Sequence, residues 1–232
     1  EKEELDLISS SKDIKKVSMR ELGLATSLGW SGATTVSSTM HIAKRANIEV
    51  FATGGIGGVH RGVDQSFDIS QDLAALSRLS MVVVSAGAKS ILDLPKTVEL
   101  LETLGVSMVG FKTSEFPSFY SRSSGIKRVT KVDSVKRVSE VFLNNRYLET
   151  LGATLVLNPA PAESEIPIEI MDPIIHSAMA ELNKRGIGGK MVTPFLLSYI
   201  HEKTEGKSLD ANISLALNNV QLGAKIAKSL NA

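Results

Sequence analysis

The 232-residue chain contains no cysteine, which excludes disulfide frameworks, thiolate nucleophiles and cysteine-ligated zinc and permits a reducing compartment. Excess charge of one sign is also missing. The 26 basic and 25 acidic side chains leave a net charge of +1, too little to bind nucleic acid or anionic lipid over the whole surface, so any anion must be met locally. No apolar run approaches the roughly 20 residues that span a bilayer, and Glu1-Lys2-Glu3-Glu4 resembles no signal peptide, so neither export nor membrane insertion is expected. No serine sits in a Gly-x-Ser-x-Gly setting, which leaves a hydrolase triad unsupported. Aromatic residues are only 5 % of the chain. The cluster of Phe116, Phe119 and Tyr120 around Pro117 is therefore read as core packing or a subunit contact before base stacking. Low-complexity linkers and repeats of 20 to 50 residues are absent, so residues 1–232 are expected to form a single domain.

What is present is an ordinary globular balance, 43 % hydrophobic and 22 % charged, arranged in α/β alternation. Val82-Val83-Val84 is a continuous β-branched run, as expected of a strand covered on both faces. Similar runs recur at 48–52, 107–111 and 154–157. Amphipathic helices are predicted over 33–45, 73–79, 96–104, 135–151, 173–185 and 210–230. Gly105 and Gly152 suit helix C-terminal caps, Asp133 and Ser208 suit helix starts, and Pro173 suits a first turn. The predicted fold class is a three-layer α/β/α with a mixed, largely parallel central sheet. Residues 1–8 read as a helix with no leading strand, which leads us to expect that an upstream part is missing.

Three segments carry chemistry. Gly54-Gly55-Ile56-Gly57-Gly58-Val59-His60-Arg61-Gly62 follows a predicted strand and packs five glycines into nine residues. It reads as an anion-binding loop in preference to a tight structural turn. It fits neither a dinucleotide fingerprint, because His60 stands where glycine is needed, nor a P-loop, because Val63 stands where lysine is needed. Asp64, Asp68 and Asp72 are spaced by four, so a helix would align them for a hard divalent cation; a solvated acidic face is equally compatible. Ala86-Gly87-Ala88-Lys89-Ser90 places a lysine beyond the carboxyl end of a strand, where open α/β sheets bind ligands. Such a lysine pairs with phosphate or, if desolvated, attacks a carbonyl carbon. Bringing its pKa from about 10.4 to near 7 costs roughly 4–5 kcal/mol. A surface lysine at a strand end is the plainer alternative. His41, His176 and His201 form no pair at metal-ligand spacing and are taken as structural.

Gly32-Ala33-Thr34-Thr35-Val36, the stretch from Phe51 to Gly62, Phe67-Asp68-Ile69-Ser70 and Ala86-Gly87-Ala88-Lys89-Ser90-Ile91-Leu92-Asp93 occur in this order. With Asn158-Pro159, Thr193-Pro194-Phe195-Leu196-Leu197, Asn212 and Asn218-Asn219, they give a chain that resembles the pseudouridine-5′-phosphate glycosidases (pseudouridylate synthases, or indigoidine-synthase-A-like proteins) over nearly its whole length. The resemblance implies reversible conversion of pseudouridine 5′-phosphate and water into uracil and ribose 5-phosphate. Because the base is joined through carbon, protonating a leaving oxygen or nitrogen cannot help. The family instead opens the sugar onto a lysine as an imine. Carried over, Lys89 is the catalytic lysine, and Asp68 the ligand of Mn²⁺ or another divalent cation. Lys16, Val36, His60, Ser70, Gln71, Asp72 and Asn212 fall at substrate-binding positions, with Lys16 and His60 on the phosphate. A cytoplasmic homotrimer with no nucleic-acid or membrane partner is likewise implied. The family's N-terminal Leu-Glu-Ser-Thr motif, whose glutamate is the general acid, has no counterpart here, so the chain is expected to be an N-terminally truncated form. Two rival functions follow: an inactive sugar-phosphate-binding isoform lacking that glutamate, and a Schiff-base aldolase-like lyase using Lys89.

Overall fold

The valine run forms a strand that is wholly buried, every residue of Val82–Ser85 being inaccessible. The computed structural model describes residues 2–11 and 13–231; Glu1, part of the predicted opening helix, lies outside them. In chain order the first elements are α1 (Lys2–Ser10), β1 (Lys15–Val17), α2 (Leu22–Ser27), β2 (Gly32–Thr34), α3 (Val36–Arg45) and β3 (Val50–Ala52). Next come α4 (Val63–Ser66), α5 (Gln71–Arg78), β4 (Val82–Ser85), α6 (Leu94–Thr103), β5 (Ser107–Phe111) and β6 (Thr130–Val132). The chain closes with α7 (Val135–Tyr147), β7 (Thr154–Leu157), α8 (Ile168–Lys184), α9 (Val192–Lys203) and α10 (Lys207–Leu230).

Five strands make the main sheet in the order β3-β4-β7-β5-β6, and every pairing is parallel. The mixed sheet expected from the sequence is thus parallel in all its named strands. Antiparallel pairing is confined to isolated bridges such as Val59 with Ile69 and His60 with Leu92. Alternation along β4 and β7 sorts their side chains between two cores. Val83, Leu155 and Leu157 join Leu73, Leu76, Val98 and Ile175 on one face, from α5, α6 and α8. Val82, Val84 and Val156 join Val138, Phe142, Leu222 and Ile226 on the other, from α7 and α10. Connections running one way along the sheet, β3 to β4 and β4 to β5, place α5 and α6 together. The return from β6 to β7 places α7 opposite, as one crossover handedness requires.

A second, two-stranded parallel sheet pairs β1 with β2, Lys16 facing Ala33. Its strands have three residues each and expose most of them, so hydrophobic periodicity does not reveal them. The helix predicted over 33–45 accordingly begins only at Val36, behind Thr35, whose N–H donates to Ser38 Oγ at 2.8 Å. Other ends shift for local reasons. Ser134 rather than Asp133 caps α7, accepting from Arg137 N–H, and Gly206 rather than Ser208 precedes α10. Gly105 takes the left-handed conformation one residue past the cap of α6, as predicted. After α7 the left-handed residue past the cap is Glu149, and the helix stops at Tyr147; Gly152 has a positive φ of 96° but lies beyond that cap. Pro173 lies inside α8, which starts at Ile168.

Asn219 is fully buried on α10 and joins the ends of two strands to that helix. Its Oδ1 accepts from Asn158 Nδ2 at 2.9 Å and its Nδ2 donates to Thr53 carbonyl at 2.8 Å. Replacing Asn219 by Ala is expected to destabilise the protein by about 2–4 kcal/mol, because buried Asn158 and the half-buried Thr53 carbonyl lose their partner together. Denaturant unfolding measures this; a loss under about 0.5 kcal/mol, the surface-substitution range, contradicts it.

Candidate active site

A cavity of about 660 Å³ opens beyond the carboxyl ends of β3 and β4, between the main sheet and the small one. Its volume lies in the range of small-molecule sites, and its place is where open parallel sheets bind ligands. Lys16 enters from β1, Val36 from the first turn of α3, and His60 from the glycine loop. Asp68 lies just before α5; Ser70, its cap, and Gln71 and Asp72, its first turn, line the wall. Lys89 follows β4 and Asn212 comes from α10. Every residue that the family resemblance assigns to catalysis, substrate or metal therefore borders one space, although they are spread from position 16 to 212; Asp64, the first of the aspartate series, does not. That is juxtaposition; it assigns no role by itself.

The side chains are not equivalent. Asp72 is 4 % exposed; its Oδ1 accepts from Ser37 N–H at 2.9 Å and its Oδ2 from Gly57 N–H at 2.8 Å. Asp68 is 43 % exposed at its side chain, with Oδ2 4.0 Å from His60 Nδ1. Asp64 belongs to the short α4, and pairs at the surface with Lys96 at 3.2 Å. The aligned aspartate face expected from the four-residue spacing does not form, because α4 ends at Ser66 and Phe67 takes a left-handed φ of 53°. Among the described residues no group of three or more His, Cys, Asp or Glu could hold a metal. Asp68, open to solvent, instead fits the other way of holding a hard cation, one carboxylate with water completing the shell.

Electrostatics distinguish the cations. Burial pushes the Lys89 amine below the usual lysine range; Asp72 opposes the shift and Lys16 adds to it. Burial likewise lowers His60, against Asp68 and with Lys16 and Lys89. Desolvation and neighbouring positive charge thus both favour an uncharged amine, the form that attacks carbon.

The glycine loop departs from the expected anion cradle. Ile56 N–H donates to Gly87 carbonyl, Gly57 N–H to Asp72, Val59 N–H to Thr97 Oγ1 and His60 N–H to Asp68 carbonyl. Those four donors are spent within the protein. Close approach is what demands glycine here: a Cβ on Gly55 would lie 2.5 Å from the Phe119 ring, and one on Gly57 2.2 Å from Ser70 Oγ. Phe119 also shows what sequence reasoning missed. It packs in the core as expected, 3 % exposed, and at the same time lines the cavity in a left-handed conformation with φ of 61°. Arg20 and buried Glu21 line it too. The spacing Ser18-x-x-Glu21 is a capping-box pattern that signals a helical turn and gives no sign of a site. His41, His176 and His201 do not border the cavity.

The family model described as indigoidine synthase A like protein matches residues 1–229. This chain belongs to that family. The pseudouridine-5′-phosphate glycosidase of Staphylococcus aureus (strain MW2) is 48 % identical over 231 residues, 100 % of this chain and 75 % of the relative. That of Caldanaerobacter subterraneus subsp. tengcongensis is 49 % identical, over 99 % of this chain and 75 % of the relative. Among solved structures, an indigoidine synthase A-like protein from Thermotoga maritima superimposes with a TM-score of 0.90 at 40 % identity, covering 98 % of this chain and 74 % of that one. The prealnumycin C-glycosynthase in complex with ribulose 5-phosphate gives 0.91 at 35 % identity, covering 97 % and 74 %. Members of the family so similar in sequence share the three-layer α/β architecture seen here.

Gly55→Ala tests whether close packing, not loop flexibility, explains this glycine. It is expected to cost about 1–3 kcal/mol, since the buried Phe119 ring must shift from its place to admit the added carbon. Thermal unfolding reads the effect, and an unchanged midpoint contradicts the packing account.

Proposed function

We propose that this chain is an enzyme that reversibly cleaves the C-glycosidic bond of pseudouridine 5′-phosphate, giving uracil and ribose 5-phosphate. The observation that carries the reading is the desolvated Lys89 amine in the cavity beyond β4, in a chain 48 % identical to a relative named for that activity. In the cleavage direction the neutral amine adds to C1′ of the sugar, the C1′–O4′ bond breaks, and O4′ takes a proton. When C5 of uracil takes a proton in turn, the C1′–C5 electron pair returns to the uracil ring and the nitrogen lone pair forms C1′=N. Water then adds to C1′, releasing ribose 5-phosphate and the free amine. Protonation at C5 lets the uracil ring accept the bond pair, and the nitrogen lone pair supplies the electrons that stabilise C1′ as the bond breaks.

Lys16 suits the phosphate by charge, His60, whose cation burial disfavours, by an imidazole N–H, and Asn212 suits the base by offering both a donor and an acceptor. Val36, Ser70 and Gln71 complete the wall. Asp68 is the residue that would hold Mn²⁺ or another divalent cation, which when bound supplies positive charge to the substrate's oxygens. A sugar phosphate as ligand agrees with the ribulose 5-phosphate complex of the C-glycosynthase at 35 % identity. The inactive-isoform alternative is not favoured, because the relatives bear enzyme names. We further propose that residues 1–232 act as one domain of a cytoplasmic homotrimer. The half-exposed stripe Leu209, Ile213, Leu217 and Val220 on α10 is apolar surface that such an assembly would cover. No helix among the described residues is long and apolar enough to cross a membrane.

Borohydride added with ribose 5-phosphate should fix a ribityl group on Lys89, detected by peptide mass spectrometry. The yield should rise with pH through a midpoint below the usual lysine range, since only the neutral amine reacts. Label on another lysine, or a midpoint at the ordinary value, refutes the assignment. For the metal, Asp68→Asn should weaken Mn²⁺ binding at least tenfold, followed by the paramagnetic resonance of free Mn²⁺, as expected when a carboxylate ligand is lost. Equal affinity of both proteins excludes Asp68 as the ligand.

A further inference from the structure

Asp72 stands with the substrate-binding positions in the sequence, yet its surroundings describe another task. Its carboxylate is 4 % exposed and sits in the first turn of α5 behind Ser70, whose Oγ accepts from Asp72 N–H at 3.2 Å. One oxygen holds Ser37 N–H, an N–H of the first turn of α3 that no helical carbonyl reaches, and the other holds Gly57 N–H in the glycine loop. Three cavity walls, the starts of α3 and α5 and the loop after β3, therefore meet on one carboxylate. Gly57 is shaped for this contact, since a Cβ there would lie 2.8 Å from Asp72 Oδ2 and 2.2 Å from Ser70 Oγ. Neighbouring bonds extend the same junction. Ser38 Oγ donates to Val17 carbonyl at 2.7 Å, fixing α3 to β1, and Gln71 Oε1 accepts from Arg20 N–H at 3.2 Å. The small sheet that carries Lys16 is thereby tied to the main sheet that carries Lys89.

We infer that Asp72 is a positioning residue, which sets the substrate cradle of α3 and the glycine loop against Lys89 through Ser37 N–H and Gly57 N–H, without itself needing to bind the sugar. The inference deepens the functional reading given above and rests on it. The charged groups whose fields reach the Lys89 amine are Asp72 from α5 and Lys16 from β1, and His60 in the loop senses the same amine. Only Asp72 favours its protonated form.

Two measurements on Asp72→Asn and Gly57→Ala decide the matter. The first is independent of the reaction: backbone amide exchange at Ser37 and Gly57 should be slow in the wild-type protein and at least tenfold faster in Asp72→Asn, an amide being able to accept only one of the two bonds. Fast exchange at both sites in the wild-type protein overturns the inference. The second is the rate of borohydride trapping with ribose 5-phosphate. In both variants the limiting rate should fall about 10- to 100-fold, as for a displacement of order 1 Å, with the half-saturating concentration within about threefold of wild type. In Asp72→Asn the pH midpoint should move further down, because the charge favouring the lysine cation is gone; a merely loosened fold would expose the amine and move it up. A raised half-saturating concentration with an unchanged limiting rate makes Asp72 a substrate contact and overturns the inference. If Asp72→Asn does not fold, Gly57→Ala decides alone. Absence of trapping in the wild-type protein refutes the functional reading and leaves the amide-exchange result to judge this one.

Discussion

A carboxylate withdrawn from water has to be compensated, and here Asp72 is compensated by two backbone N–H groups and the first turn of a helix rather than by a cation held in contact. Bonds to a charged acceptor contribute about 1.5–3 kcal/mol each, and the helix N-terminus adds up to about 2 in a partly buried setting. The consequence is geometric as much as energetic. Ser37, Gly57 and Asp72 come from three separate segments; each bond joins two of them, and both bonds form together only when all three are in place. The cavity is the space those segments leave between the two sheets, so its shape depends on this junction.

Lys89 depends on the same arrangement from the opposite side. Its amine lies where burial disfavours the cation, while the carboxylate of Asp72 keeps part of that cost offset. Each pKa unit by which the site lowers the amine corresponds to about 1.4 kcal/mol against the charged form. A lysine in this position is thus destabilised for structural purposes and activated for chemical ones, the usual relation between stability and a reactive group. His60 is lowered by the same burial, which leaves the cavity with less fixed positive charge than its basic residues suggest.

The parts of the fold that were legible are those buried on both faces. Residues 107–111 and 154–157 coincide with β5 and β7, and the valine run with β4, because a strand between two helix layers must be apolar throughout. Three-residue strands such as β1, β2 and β6 have no such signature. Their pairing partners, not their own side chains, make them strands. The aspartate series shows the opposite error. A spacing of four suggests a helical face, yet the left-handed turn at Phe67 separates Asp68 from α4. Glycine density was legible as a place where backbone approaches something closely; what it approaches, the Phe119 ring, Ser70 and Thr97, was not.

Local chemistry is what the order of residues determines by itself: a lysine after an interior strand, a dense run of glycines behind another, and a set of motifs that marks the family. Each of these depends on a residue and its close neighbours along the chain. Which carboxylate faces solvent and which holds backbone, how far the amine is desolvated, and that position 16 meets position 89 were decided only in three dimensions. Burial, field and hydrogen-bond partnership depend on atoms brought together from distant segments, and no window of sequence contains them.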